Sequence, residues 1–519
     1  MRTTLASLPD DIDALKRLVL ERDEKLELAR SDLLVQTTLV EYLKLQIAKL
    51  KRLQFGRSSE KLGAQIDQLE LIVEDLEATQ AQNAPPPKVA APPKTPPARR
   101  PLPEHLPREL VLHEPPPGCP DCGSMLERIG EDAAEMLEYV PASFKVIRHV
   151  RPRLACTCCE RIVQQPAPIR PIDRGIPGPA LLAHVLVSKY ADHLPLYRQA
   201  GIYARQGVEL ERSTLADWVG SATKLLSPLV DALARHVLAA EKLHADDTPV
   251  PVLQPGRGTT KTGRLWTYVR DDRPSGSSAP PAVWFQYTPD RKAIHPTEHL
   301  RHYAGILQAD GYAGFERLYE TGRILEAACW AHVRRKFYDI HQATSSPLAA
   351  EVIARISALY EIEAQIRGRP PHERSAARQA RAGPLLHDLQ AWLQATLGKL
   401  SNKGELAVAI RYALTRWAAL TRYAEDGRIE IDNNAAERSI RDVALGRKNW
   451  LFAGSDSGGE RAAALYSLLG SAKLNGLDPE HYLSSVLGRI AEHPINRVDE
   501  LLPWKIAAAA TTEPDRLAA

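Results

Sequence analysis

From residue 241 the chain changes from helical to β-type patterning, and this change constrains the fold more than any other feature. Leu243–Leu253, Arg264–Arg270 (RLWTYVR) and Val283–Tyr287 (VWFQY) are short runs rich in β-branched and aromatic residues, with Gly, Pro and Ser between them. Such runs read as antiparallel hairpin strands. A helix is expected near Ala293–Tyr303, a fourth strand over Gly305–Ala309, then a short helix and a fifth strand over Ile324–Cys329. Residues 330–425 read as helical throughout: a basic helix Trp330–Ile340, then Leu348–Ile366, Glu373–Gly398 and Glu405–Tyr423. A short β-like run, Arg428–Ile431, follows, and the chain turns through Asp432–Asn434 into a helix that ends at Gly446.

Three hairpin strands, a helix, a strand, a helix and a fifth strand make the order of an RNase H-like fold. The predicted class is therefore multidomain α+β, with an RNase H-like core over 241–329 and 426–458. An all-helical insertion, 330–425, interrupts that core, and a helical segment, 459–506, follows it. Upstream, residues 11–80 lack proline and carry apolar seams: Leu39, Leu43, Ile47, Leu50, then Ile66, Leu69, Val73, Leu76. These predict coiled-coil helices that either self-associate or pack on the body. A Pro- and Ala-rich linker covers 84–107. Cys119-Pro-Asp-Cys122 and Cys156-Thr-Cys158-Cys159 offer two Cys-x-x-Cys knuckles, the donor set of a structural Zn2+ site. The long gap between them suits a zinc ribbon over 110–165, with Cys158 surplus. The strand carrying Lys145, Arg148, His149, Arg151 and Arg153 has a basic face, open to DNA contact or mere solvation. Residues 175–240 read as helices, with Ser213 an N-cap in a possible helix-turn-helix or in a bracing subdomain.

Three acids sit where this layout brings strand ends and a helix together: Asp246 on the first strand, Asp310 ending the fourth and Glu437 on the helix after the insertion. Convergent carboxylates suit two Mg2+ or Mn2+ ions, set about 3.5–4 Å apart to clamp the attacking and leaving oxygens of a phosphoryl displacement. Each acid also has a plain reading: Asp246 and Asp247 as a solvated strand end, Asp310 in a turn, Glu437 in a capping box with Asn434 or paired with Arg441. Asp247, Asp432 and Glu460 are the rival ligands. Cys329-x-x-His332 supplies two donors, too few for zinc alone, and reads as packing at the insertion root.

Net charge is +3 over 519 residues, so only local patches could meet a nucleic acid. No secretory signal is read at the N-terminus, and no apolar run approaches the ~18 residues that span a bilayer. A soluble, cytoplasmic protein is expected. Clustered cysteines point to metal in a reducing compartment, not to disulfides.

The chain resembles the large catalytic subunit of insertion-sequence-66 family transposases. The likeness runs through Phe55-Gly-Arg-Ser-Ser-Glu-Lys61, the four knuckle cysteines, His193-Leu-Pro-Leu-Tyr197, Ser213-Thr-Leu-Ala-Asp-Trp218, His244-Ala-Asp-Asp-Thr-Pro249, Leu307-Gln-Ala-Asp-Gly-Tyr312, Cys329-Trp-Ala-His-Val-Arg-Arg-Lys-Phe337, Asp432-Asn-Asn-Ala-Ala-Glu-Arg438 and Gly446-Arg-Lys-Asn-Trp-Leu-Phe452. The family often has Asp-Glu-Thr where this chain has Asp246-Asp247-Thr248. The resemblance implies a DDE recombinase with its triad on Asp246, Asp310 and Glu437. It would cleave element ends in double-stranded DNA and transfer the freed 3′-hydroxyl into target DNA. A homo-oligomer, at least a dimer, would pair two ends, with small accessory proteins encoded beside it and a place at the bacterial nucleoid. Expected DNA contacts are Arg148, Arg151, Arg153, Arg334, Arg335, Lys336, Arg438, Arg441, Arg447, Lys448 and Trp450. The rival functions are a nuclease or resolvase that never joins strands, and an inactive DNA-binding regulator.

Overall fold

The computed structural model describes scattered positions between 11 and 46 and most of 102–512, except 105, 115–120, 123, 141–142, 174, 255–258, 402, 447–448 and 450–452. Most of the expected arm and linker, Cys119, Arg447, Lys448 and Trp450 lie outside the described residues. The described positions between Asp13 and Gln46 are helical, and Val40 and Leu43 are buried.

The first sheet holds β1 (Arg108–Leu112), β2 (Leu126–Val140), β3 (Ser143–Cys156) and β4 (Ile162–Val163), in the order β1-β3-β2 with β4 also on β3. β2 and β3 form one long hairpin, from Leu126 opposite Cys156 to Val140 opposite Ser143. At about 3.4 Å per residue it reaches roughly 45 Å. Its turn end is docked: Leu137, Phe144 and Val146 are buried in the main apolar core. There the buried Glu138 carboxylate accepts the Leu181 N–H at 2.7 Å, in the first turn of α1 (Pro179–Tyr190). Unpaired N–H groups and the helix dipole favour an anion at that position.

α2 (Leu196–Arg205) and α3 (Arg212–Leu238) follow. Ser213 does not cap α3. The helix starts two residues earlier, Glu211 holds the cap position, and the Ser213 hydroxyl turns back to the Glu211 carboxylate at 3.5 Å. Leu215, Leu226, Leu229 and Leu233 of α3 share their apolar core with the central sheet.

That sheet contains β5 (Lys242–Leu253), β6 (Thr260–Arg270), β7 (Ala282–Thr288), β8 (Gly305–Ala309) and β9 (Ile324–Ala328), in the order β7-β6-β5-β8-β9. β5, β6 and β7 run antiparallel, whereas β8 and β9 run parallel to β5. Two short helices, α4 (Ile294–His299) and α5 (Glu316–Tyr319), make the crossovers.

Five helices then build a second apolar core: α6 (Trp330–Thr344), α7 (Pro347–Ile366), α8 (Pro371–Leu397), α9 (Glu405–Thr415) and α10 (Trp417–Glu425). The last expected helix is split at Arg416. The chain comes back through Arg428–Ile431, which is not a strand. Its alternation arises because Ile429 and Ile431 both bury in the second core. No ladder holds it. The Gln308 side chain grips the Glu430 backbone instead, donating to its carbonyl at 2.6 Å and accepting its N–H at 3.3 Å. Trp330 N–H donates to the Ile431 carbonyl at 3.1 Å.

α11 (Asn434–Gly446), α12 (Asp456–Leu474), α13 (Pro479–Leu487) and α14 (Pro503–Thr512) complete the chain. A domain boundary at 458 would fall inside α12, which belongs to the central core. α12 covers the exposed edge of β7: Ser471 and Ser467 hydroxyls accept the Val283 and Phe285 N–H groups at 3.0 and 2.8 Å. Unpaired strand edges are a pairing hazard, and these serines satisfy this one. A Cβ at Gly459 would stand 2.4 Å from the Tyr287 ring, so only glycine lets the helix lie this close. No described helix is long and apolar enough to cross a membrane.

Candidate active site

Parallel register aligns the first two acids. His244 on β5 pairs with Gln308 on β8, and continuing that register sets Asp246, inside β5, level with Asp310, just past the end of β8. Asp310 accepts the Tyr312 N–H at 3.0 Å, closing its own turn, while Tyr412 donates to its carbonyl at 2.9 Å. Glu437 arrives from the first turn of α11. Asn433, fully buried just before that helix, ties it to β5: its amide donates to Ala245 O at 2.8 Å and its carbonyl meets His244 Nδ1 at 3.0 Å. The Asp246 carboxyl is pushed up to about 7 by burial first, then by the nearby charges of Asp310, its chain neighbour Asp247 and Glu437. Crowded carboxylates resist ionisation together, and a hard divalent cation relieves that repulsion with oxygen ligands. The donor set therefore fits Mg2+ or Mn2+.

The rival acids are committed elsewhere. Asp247 faces the other way along β5 and is buried against Arg264 at 2.9 Å and Arg291 at 2.7 Å. Asp432 holds the turn into α11, accepting from the Asn434 N–H at 3.2 Å and its side-chain amide at 2.8 Å. Glu460 lies on α12 near Asp456 and Arg461. The capping box with Asn434 does not form, because α11 already starts at Asn434 and the Glu437 N–H donates to Asn433 O at 3.4 Å.

Gln308, Asn433 and His332 are site residues that sequence reasoning did not assign. Asn433 stood in plain view within Asp432-Asn-Asn434, but nothing local reveals that its amide bonds a strand far away in sequence. His332 Nδ1 lies 3.8 Å from Glu437 Oε1.

In the ribbon, Cys122 Sγ stands 3.5 Å from Cys156 Sγ and 3.7 Å from Cys159 Sγ. Thiolates bound to one zinc at ~2.3 Å lie about 3.8 Å apart at tetrahedral geometry, so these three fit a Zn2+ site. Cys158 is exposed and outside the cluster.

Several expected DNA-binding residues are already paired. Lys145 bonds Glu109 at 2.8 Å, Arg153 bonds Asp132, and Arg151 donates to Gln165 O at 3.0 Å and lies 3.8 Å from Asp132. Arg148 is exposed with no acidic partner among the described residues. Arg334 and Arg335 line a cavity of about 700 Å³ with Tyr338, Tyr360, Asp432 and Asn434, beside the start of α11. Lys336 sits 4.5 Å over the Tyr412 ring. Arg438 and Arg441 are exposed on α11.

Comparison with known proteins agrees along the length of the chain. Residues 174–461 match the "Transposase IS66 family" and 42–111 match "Transposase C of IS166 homeodomain". Residues 116–160 match the "zinc-finger binding domain of transposase IS66" and 467–504 the "IS66 C-terminal element". Three uncharacterized proteins of Sinorhizobium fredii (strain NBRC 101917 / NGR234) are similar over most of their lengths. y4hP is 44% identical over 90% of both chains. y4jD is 40% identical over 96% of both, and y4qI is 39% identical over 96% of this chain and 98% of that protein. With a family match over more than half its length and relatives at this identity, the chain belongs to the IS66 transposase family.

Proposed function

We propose that the central sheet is an RNase H-like DDE core that cleaves element ends and joins the freed 3′ ends to target DNA. One observation carries this reading: the β5–β8 register sets Asp246 level with Asp310, with Glu437 close enough to raise the Asp246 carboxyl. Asp246, Asp310 and Glu437 would hold two Mg2+ or Mn2+ ions. Bound there, the ions supply Lewis acidity for the attacking hydroxyl and offset charge on the leaving oxygen.

The protein residues do the rest. Asn433 and Gln308 lock the return segment to β5 and β8, so that Glu437 stays with the strand acids. Arg438, Arg441, Arg334, Arg335 and Lys336 would meet phosphates around the site. Arg447, Lys448 and Trp450, which follow α11 in the sequence, would add further DNA contacts, and Arg148 with its neighbours Arg151 and Arg153 would offer a second contact on the ribbon, held by zinc on Cys119, Cys122, Cys156 and Cys159. Water would attack the end phosphodiester and break the bond to the 3′-oxygen; the freed 3′-hydroxyl would then attack a target phosphodiester at the same acids, breaking its bond to the target strand's 3′-oxygen, which leaves as a hydroxyl. Pairing two ends calls for at least a dimer, which the N-terminal seams would supply, and accessory proteins of the same element would join the assembly.

The test is cleavage and joining of the element's own end DNA with Mg2+ or Mn2+. Asp246→Asn, Asp310→Asn and Glu437→Gln are each expected to lower both steps at least 100-fold, about the scale of losing one strong electrostatic stabiliser. Cleavage without joining of a pre-cut end makes the protein a nuclease or resolvase. Full activity in all three variants rejects the site.

A further inference from the structure

At the root of the helical insertion a second set of donors converges beside the triad. Cys329 precedes α6, His332 lies in its first turn, and Glu437 faces both from α11. The thiol sulfur, an imidazole nitrogen and a carboxylate oxygen all lie within 4.8 Å of one another. His332 Nδ1 is buried with no hydrogen-bond partner, and at 3.8 Å from Glu437 Oε1 it is too far to bond it. Cys329 is buried, and its sulfur accepts the Asn433 N–H at 3.2 Å as well as the His332 N–H. A sulfur that takes backbone N–H bonds at a helix start is oriented as an acceptor, the role a metal ligand needs.

We propose that Cys329, His332 and Glu437 form a transition-metal site of the zinc type, with its fourth position open. Sulfur and imidazole donors select zinc-like ions and disfavour Mg2+, so this site differs in chemistry from one made of carboxylates alone. Three protein ligands plus an open position is the pattern of zinc sites that keep a place for water or substrate. Donors around one zinc stand about 3.3–3.8 Å apart, so small rotations of the half-exposed His332 and Glu437 side chains close the site. Cys329-x-x-His332 alone was too small a donor set. The fold adds Glu437, distant in sequence, because Asn433 bonds both the Cys329 sulfur and β5. A consequence rests on the DDE reading: an ion held here draws Glu437 away from Asp246 and Asp310, so zinc opposes Mg2+-dependent cleavage.

The experiment measures zinc per chain in the full-length protein after gel filtration, alongside circular dichroism. His332→Ala is expected to lose about one zinc equivalent with the fold retained, and Cys156→Ser to lose a different one from the ribbon. Asp246→Asn is expected to keep the full zinc content. Cys329→Ser is expected to match His332→Ala; where it does not fold, the His332 variant decides alone, since that side chain is half-exposed. Equal zinc in the unsubstituted protein and His332→Ala overturns the site and leaves the cleavage reading standing. Zinc lost in His332→Ala, with Asp246→Asn still cutting DNA, overturns the cleavage reading and leaves the metal site standing.

Discussion

Asp246 and Asp247 are chain neighbours with opposite surroundings, because successive strand residues point to opposite faces. Asp247 sits between two guanidinium groups as part of the scaffold. Asp246 meets two other acids and is held up at about 7, chiefly by burial. For an acid with a raised folded value, stability is highest while both states are protonated. It falls as pH climbs from the unfolded value near 4 through about 7, where the folded protein must ionise at a cost. Without added Mg2+ or Mn2+, Asp246→Asn should therefore be more stable than the unsubstituted protein at pH 8, by roughly 2–4 kcal/mol. The gain should vanish near pH 4. Urea unfolding across pH 4–8 measures it, and added Mg2+ should narrow the difference by stabilising only the chain that keeps its acid. No gain at pH 8 would mean that burial and the neighbouring acids do not hold the Asp246 carboxyl up.

The runs read as strands coincide with β5 to β9 because strand period and turn residues are local signals. Arg428–Ile431 differs from the expected strand for a physical reason: two isoleucines bury in the insertion's core and mimic a strand's alternation. What holds that segment is tertiary. Arg374, fully buried on α8, donates to Gly427 O at 2.7 Å and Glu430 Oε1 at 2.8 Å. Arg378, one turn on, donates to Tyr423 O at 2.7 Å and pairs with Glu363 of α7 at 2.7 Å. Sequence shows charges on helices but not which carbonyls they will reach, so this clamp was illegible, as were the two arginines around Asp247. Truncating one partner of a buried ion pair leaves the other uncompensated. Arg378→Ala should cost about 3–5 kcal/mol in urea unfolding. It should also increase hydrogen exchange in 426–433, the segment that delivers Glu437. Unchanged exchange there would show that Arg374, Gln308 and Trp330 suffice to hold it.

Across the whole molecule, the two apolar cores and the ribbon depend on different interactions. The main core runs from the turn end of the β2–β3 hairpin through the central sheet to α12 and α13, and the insertion packs its own core. The zinc knuckle lies at the opposite end of the hairpin, where Cys156 faces Leu126. Among the described residues, the short β4 pairing and an ion pair between Arg161 and Asp121 hold that end, and the cysteine cluster there is placed to add a metal. Losing zinc should therefore fray the hairpin from its far end toward the docked turn, where Glu138 caps α1 and apolar residues are buried. Cys156→Ser is expected to expose the far hairpin to protease while the main thermal transition moves by no more than about 2 °C, since units with few shared contacts open separately. The same variant should weaken binding to end DNA, because Arg148 lies on the hairpin between knuckle and turn. Replacing Arg148 by Ala in the intact protein should lower the slope of log affinity against log salt by about 1, the effect of one lost phosphate contact. Arg153→Ala should change that slope less, since Asp132 already neutralises it. A main transition that collapses with the zinc would instead mean that the hairpin is part of the core's folding unit.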